Sequence, residues 1–262
     1  MTVTDQKEDV RQQFGKNASG YTVSELHAKG KDLEVLVNLI EQKDNSTLLD
    51  IATGAGHTVN VLAPYVTEAV AFDLTEEMLD QARTLIQKNK HENVSFVRGD
   101  AENMPFEEET FDIVTCRIAA HHFQDLHKFL KEVRRVLKPG GAFILIDNTA
   151  PEADSFDTFY NTIEKERDYS HVRAWKKSEW IHLIEQYGLE LAAAHGFKKT
   201  FHFEDWCSRM QMTEDEKQHL SSYIKNTGQD IKTKFHIIIE EDNVSSFQGE
   251  AVILKAVKAP VI

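Results

Sequence analysis

From Thr47 onward, short apolar runs alternate with stretches whose apolar positions recur every three or four residues. Thr47–Ile51, Ala69–Asp73, Val94–Val97, Phe111–Cys116 and Ala142–Ile146 read as strands. Between them, Met78, Leu79, Ala82, Leu85 and Ile86 mark a helix that Thr75 caps and that runs to about Asn89. Phe129, Leu130, Val133, Val136 and Leu137 mark another, stopped by Lys138-Pro139-Gly140-Gly141. Upstream, Leu33, Leu36, Val37 and Ile40 form the stripe of a helix expected to pack across the sheet. Strands alternating with helices over short loops imply a parallel sheet with helices on both faces, and nearly continuous apolar strands fit burial on both sides.

After residue 150 the rhythm changes. Residues 152–187 and 204–226 read as helical, Leu189–Phe203 as a strand, and Phe235–Ile239 and Gly249–Lys258 as strand-like. The chain is expected to divide into a helical segment over 1–45, a core over 46–150, and an insertion with the final strands of the same domain over 151–262.

Composition narrows the function classes. With 41% apolar and 28% charged residues over 262 positions, the chain can bury a sizeable core. It has no eighteen-residue apolar run, and its start, Met1-Thr-Val-Thr-Asp-Gln-Lys-Glu, lacks the apolar stretch of a secretory signal. The expectation is a soluble, cytoplasmic protein without stable membrane insertion. A formal charge of −13 with no Lys/Arg-rich run disfavours nucleic acid as a partner, because such binding rests on cations displacing counterions. Two cysteines, Cys116 and Cys207, cannot build a disulfide framework.

Candidate chemistry gathers where strands end. Gly54 and Gly56 follow the first strand, where glycine lets the backbone turn and a ligand approach closely. A dinucleotide fingerprint would place a third glycine at position 59, where the chain has Val59. Asp50, Asp73 and Asp100 lie at the carboxyl ends of successive strands, the edge at which open α/β sheets bind ligands. A carboxylate placed like Asp73 suits ribose hydroxyls.

The ordered series Leu49-Asp50-Ile-Ala-Thr-Gly54-Ala-Gly56, Phe72-Asp73-Leu-Thr-Glu-Glu-Met78-Leu79, Gly99-Asp100-Ala-Glu102-Asn-Met-Pro105-Phe106, Phe111-Asp112-Ile-Val-Thr-Cys-Arg117 and Val136-Leu137-Lys-Pro139-Gly140-Gly141 resembles a class I S-adenosylmethionine-dependent methyltransferase. It is similar to the small-molecule branch that includes the quinone-biosynthesis enzymes, and in its flanks to an uncharacterised bacterial subgroup. The resemblance implies a Rossmann-like αβα sandwich around a mostly parallel seven-stranded sheet with the last strand antiparallel, plus a helical lid and inserted helices. It implies S-adenosyl-L-methionine as cofactor, with Thr53, Gly54 and Gly56 lining its methionine portion. By the same resemblance Asp73 holds the ribose, Leu74 and Met78 lie against the adenine, and Asp100 and Ala101 read the adenine edge. Arg117 falls close to the methionine portion, and Tyr21 and His27 come from the lid. His57 departs from the small residue usual at its position.

Methyl transfer to an oxygen, nitrogen or ring carbon can need a base, and histidine suits that work at neutral pH. His121 and His122 follow the fourth strand. As neighbours they point in different directions, so at most one is expected to face a pocket; the plainer reading is a packed or capping residue. His171 and Arg173 are candidates for gripping an anionic substrate, with a surface ion pair as the alternative. Phe156, Trp175 and Trp180 read as pocket lining or as core. No histidine spacing forms a convincing metal site. DNA amino methylation is disfavoured, since Arg117-Ile-Ala-Ala replaces the Asn/Asp-Pro-Pro-aromatic loop of that chemistry. Two alternatives to methyl transfer to a small molecule stand: a nicotinamide-dependent oxidoreductase, which leaves Asp100 without a role, and a non-catalytic cofactor binder. Acceptor specificity is expected within residues 150–247.

Overall fold

The computed structural model describes residues 7–14, 30–40 and 45–259. Tyr21 and His27, and most of the expected lid, lie outside the described residues. Residues 7–14 form helix α1, and α2 covers Lys31–Leu39. Then follow β1 (Thr47–Ile51), α3 (His57–Leu62), β2 (Glu68–Asp73), α4 (Glu76–Lys88), β3 (Val94–Arg98), β4 (Phe111–Arg117), α5 (Leu126–Val136) and β5 (Leu137–Thr149). The remainder comprises α6 (Asp154–Arg167), α7 (Lys177–Gln186), β6 (Leu189–His202), α8 (Phe203–Ser208), α9 (Glu214–Lys225), α10 (Gln229–Lys234), β7 (Ile238–Glu240) and β8 (Asn243–Lys258). Among the described residues no helix is long and apolar enough to cross a membrane.

The main sheet runs β3-β2-β1-β4-β5-β8-β6, with short β7 added alongside β8. β1 to β5 are parallel, and β8 is antiparallel to both β5 and β6. The seven-strand expectation thus gains one short hairpin strand. The register aligns Ile51 with Phe72 and Cys116, and Arg117 with Ile146, so the carboxyl ends of the parallel strands share one edge. Strand order reverses beside β1, which opens the crevice where such sheets bind ligands.

One face of the sheet is buried under α5 and α7, through Phe129, Leu130, Val133, Trp180 and Ile184. The other is covered by α2 and α3: Leu33, Leu36 and Ile40 meet Val59, Leu62, Ile113 and Ile144, as the α2 stripe predicts. A third cluster, built on Tyr160, Phe201, Trp206 and Phe247, lies beneath the long β6–β8 extension. Phe156 packs against it, while Trp180 is core and Trp175 lies at the edge of the core.

Several boundaries differ from pattern. The stretch 152–187 is two helices, because Asp168 accepts bonds from the Ser170 N–H and hydroxyl and turns the chain. That turn lets the N–H groups of Val172 and Arg173 donate to the His121 carbonyl. Residues 204–226 likewise break, and Thr213 starts α9 through a capping box with Glu216. Leu137 begins β5 rather than ending a helix, and Phe235 ends α10 as a buried core residue instead of starting a strand. Thr75 does not cap α4 with its side chain; its hydroxyl donates to Asp73.

Candidate active site

β1 ends in Ala52 and Gly54, both with positive φ (51° and 55°), and Gly56 (φ 84°) starts α3. A Cβ on Gly56 would sit 2.9 Å from Ala82 Cβ, so only glycine lets α3 close on α4 here. A Cβ on Gly54 would meet nothing within 4 Å; it would project into an open cleft of about 1070 Å³. Val59, where a dinucleotide fingerprint needs glycine, is instead fully buried in the core.

Thr53, Gly54, Asp73, Leu74, Met78 and Asp100 all line this cleft, as do Ala101 and Arg117. Gly56 lies behind the wall, shaping the turn. Asp50 is also behind it, 1% exposed, accepting from the hydroxyls of Thr53 (2.6 Å) and Thr115 (2.7 Å). Burial pushes its carboxyl up to about 6. Asp73 accepts from Gly54 N–H (2.9 Å), Thr75 N–H (3.0 Å) and the Thr75 hydroxyl (2.9 Å). A carboxylate offers about four lone-pair positions, which leaves capacity towards the cleft. Burial raises this group above its ordinary range as well.

Sequence pattern missed the cover over Asp100. Lys7, on α1, donates to Asp100 (2.6 Å) and to Glu102 (2.7 Å). Glu102 in turn accepts from the N–H groups of Gln124 and Asp125, tying the loop after β3 to the start of α5. Lys7, Val10 and Phe14 therefore form a wall contributed by α1. Arg117 donates through Nε to Asp32 on α2 at 2.6 Å, with both side chains almost buried.

Beyond β4, Ile118 takes φ 53°, rare for a β-branched residue, with its N–H donating to Ile146. A 3₁₀ turn follows over Ala120–His122. It corrects the expectation that at most one histidine faces a pocket. The rings of His121 and His122 lie side by side, 4.2 Å between centroids, and both line a second cavity of about 540 Å³. That cavity shares Phe14, Ile118 and His122 with the first cleft, so those three side chains lie between the two.

Asp147, at the carboxyl end of β5, grips His121 twice: Oδ2 accepts its backbone N–H (3.0 Å) and Oδ1 lies 2.6 Å from Nδ1. A carboxylate accepts, so Nδ1 carries the proton and Nε2 keeps its lone pair. Burial pulls the His121 pKa down, but the attraction of Asp147 outweighs it and the value ends above the usual 6.5. His122, buried beside His121, falls to about 4. Its Nδ1 faces the Ser170 carbonyl at 3.1 Å. Asp147 went unremarked in the sequence, although it too closes an apolar strand.

His171 is buried behind His121, 5.6 Å between rings, and bonds Asn161 through Nε2 at 3.0 Å; burial and His121 hold it near 3. It lines neither cavity, and nor does Arg173, which pairs with Asp157 (2.9 Å) and Glu179 (3.2 Å) and lies over Trp175. The structure thus gathers His121 and His122 along the second cavity, with His122 alone reaching the first cleft, and leaves the other pair outside both.

A family model described as a methyltransferase domain matches residues 49–145. Over 246 residues, 94% of this chain and 97% of the relative, the chain is 35% identical to the uncharacterized methyltransferase YcgJ of Bacillus subtilis. A crystal structure from Bacillus halodurans, assigned as a methyltransferase, superposes with a TM-score of 0.86 at 53% identity, covering 88% of this chain and all of that one. The Rickettsia prowazekii ubiquinone/menaquinone biosynthesis C-methyltransferase UbiE is 29% identical over 154 residues, 55% of this chain and 62% of that protein.

Proposed function

The chain belongs to the class I S-adenosylmethionine-dependent methyltransferases, and on that premise we propose that it transfers the cofactor's methyl group to a small-molecule acceptor by in-line displacement, releasing S-adenosylhomocysteine. The observation that carries this reading is a pair of neighbouring cavities that share Phe14, Ile118 and His122, which we take as the neck between them. The first lies at the strand-end edge where such sheets bind ligands, and the second opens beside His121 and His122.

The residues of the first cleft fit the cofactor. Gly54 opens space that any side chain would fill, Asp73 offers a carboxylate towards hydroxyls, and Leu74, Met78 and Ala101 supply apolar walls for a flat ring. When bound, the cofactor supplies a methyl group already activated by its sulfonium.

This chain's own task is therefore to position, to exclude water and to manage one proton. Ile118 and Phe14 close the neck with apolar surface. His121 is the base: Asp147 takes Nδ1, fixing the tautomer of the neutral ring, so Nε2, which has no hydrogen-bond partner among the described residues, is the atom left to accept a proton beside the second cavity that His121 lines. His122, neutral at physiological pH, lines the passage without adding charge.

Incubation with methyl-labelled S-adenosylmethionine and a bacterial extract fractionated by size tests the acceptor class. Label is expected in compounds small enough for the second cavity. Label confined to protein or nucleic acid would overturn the small-molecule reading.

A further inference from the structure

The second cavity has an electrostatic character that the chain as a whole does not share. Against a formal charge of −13, its lining holds Arg167, Lys199 and Arg209 with one carboxylate, Asp168. The buried carboxylates near it are already engaged. Asp32, whose charge acts on Lys199, holds Arg117, Asp147 holds His121, Asp168 holds Ser170, and Glu164 holds Arg167.

Lys199 is differently placed. Alternation along β6 sets it on the same face as Phe201, and its ammonium reaches over β8 to the amide oxygen of Asn148 on β5 at 3.1 Å. Gly249, its partner in the β6–β8 register, has no side chain to fill this space. A Cβ there would sit 2.8 Å from the Phe201 ring. Among the described residues, the one hydrogen bond of this ammonium is thus to a neutral amide. A desolvated cation needs an anionic partner, and without one the charged form is disfavoured. Consistent with this, burial lowers the Lys199 pKa to about 8. Beside it, the buried rings of Phe201 and Trp206, 6.3 Å between centroids, back the cavity, with Arg167 over Trp206 at 4.8 Å and Met210 completing the apolar side.

We propose that the second cavity is the acceptor site and that Lys199 is its specificity-determining residue, pairing with a carboxylate on an acceptor whose apolar or aromatic body lies against Phe201 and Trp206. This rests on the methyl-transfer reading above and names its substrate class. The carboxylate completes the partner set of Lys199, while Asn148 holds the ammonium in place. The neck residues then face the body of the acceptor, where the methyl-accepting atom lies.

Calorimetric titration separates this inference from the cofactor assignment. The protein is first titrated with S-adenosylhomocysteine; the saturated complex is then titrated with benzoate, 3-phenylpropanoate and octanoate, and with the carboxamide of each. At least one acid is expected to bind, with its amide weaker by about tenfold or more. Lys199→Met should abolish that preference, Lys199→Arg should keep it, and S-adenosylhomocysteine affinity and melting temperature should stay unchanged in both. Acids binding no better than amides, no acid binding while S-adenosylhomocysteine still binds, or a preference that survives Lys199→Met would each overturn the inference and leave the cofactor assignment standing. Failure of S-adenosylhomocysteine to bind the unsubstituted protein would overturn both.

Discussion

Gly54 and Gly56 lie two positions apart, both at positive φ, yet they serve different ends. Gly56 is required by packing: an added methyl would overlap Ala82, at a cost of about 1–3 kcal/mol for overpacking beyond the backbone strain. Gly54 meets no such neighbour, and its missing side chain leaves cleft volume for the cofactor proposed to bind there. Gly56→Ala should therefore lower the melting temperature markedly. Gly54→Ala should lose only about 1–2 kcal/mol of stability from strain. Its S-adenosylhomocysteine affinity should fall by about tenfold, roughly 1.4 kcal/mol. Parallel thermal melts and binding titrations check the pair, and equal effects on both readouts would contradict the division. Both glycines, like Asp73, were legible because a strand end with a turn residue is a local signal. Lys7 on Asp100 was not: an ion pair between residues 93 positions apart leaves no trace in spacing.

Catalytic positioning is a property of two strand ends and the turn between them. β4 delivers Ile118 in a strained conformation, the 3₁₀ turn brings the His121 and His122 rings together at 46° to each other, and β5 delivers Asp147 behind His121. The sequence placed both histidines after the fourth strand, but adjacency could not reveal that a tight turn would align their rings. Nor could helical periodicity show the break after Asp168, which a side-chain-to-backbone turn imposes. The pH behaviour follows from the same contacts. In the role of base proposed for it, His121 works only when unprotonated, and Asp147 holds its pKa above 6.5, so activity should rise as pH climbs above the ordinary histidine range. In Asp147→Asn the attraction is gone while burial still disfavours the imidazolium, so the titration must move to lower pH. NMR of the His121 ring should record that acid shift, and an unmoved midpoint would contradict the pairing.

At the scale of the molecule, the sheet explains why so much was readable. Four of the five parallel strands, β1, β2, β4 and β5, are buried over most of their length and announce themselves as apolar runs, β3 lies part-exposed at the edge, and the shared carboxyl edge follows from the topology. The region after residue 150 was less legible because β6 and β8 are long, part-exposed strands whose pairing is antiparallel and non-local. Lys199, Trp206 and Arg167 meet through that pairing and through the third cluster, so no motif in the linear sequence joins them. The charge of the whole chain likewise hides a cationic cavity within it.

The decisive measurement is calorimetry of the purified protein with S-adenosylmethionine, alongside Asp73→Asn and Asp100→Asn. Saturable binding at one site is expected, weakened by about tenfold or more (roughly 1.4 kcal/mol) in each variant while the fold stays intact by circular dichroism. No heat at millimolar cofactor, or affinities unchanged by both substitutions, would contradict the assignment of this strand-end cleft.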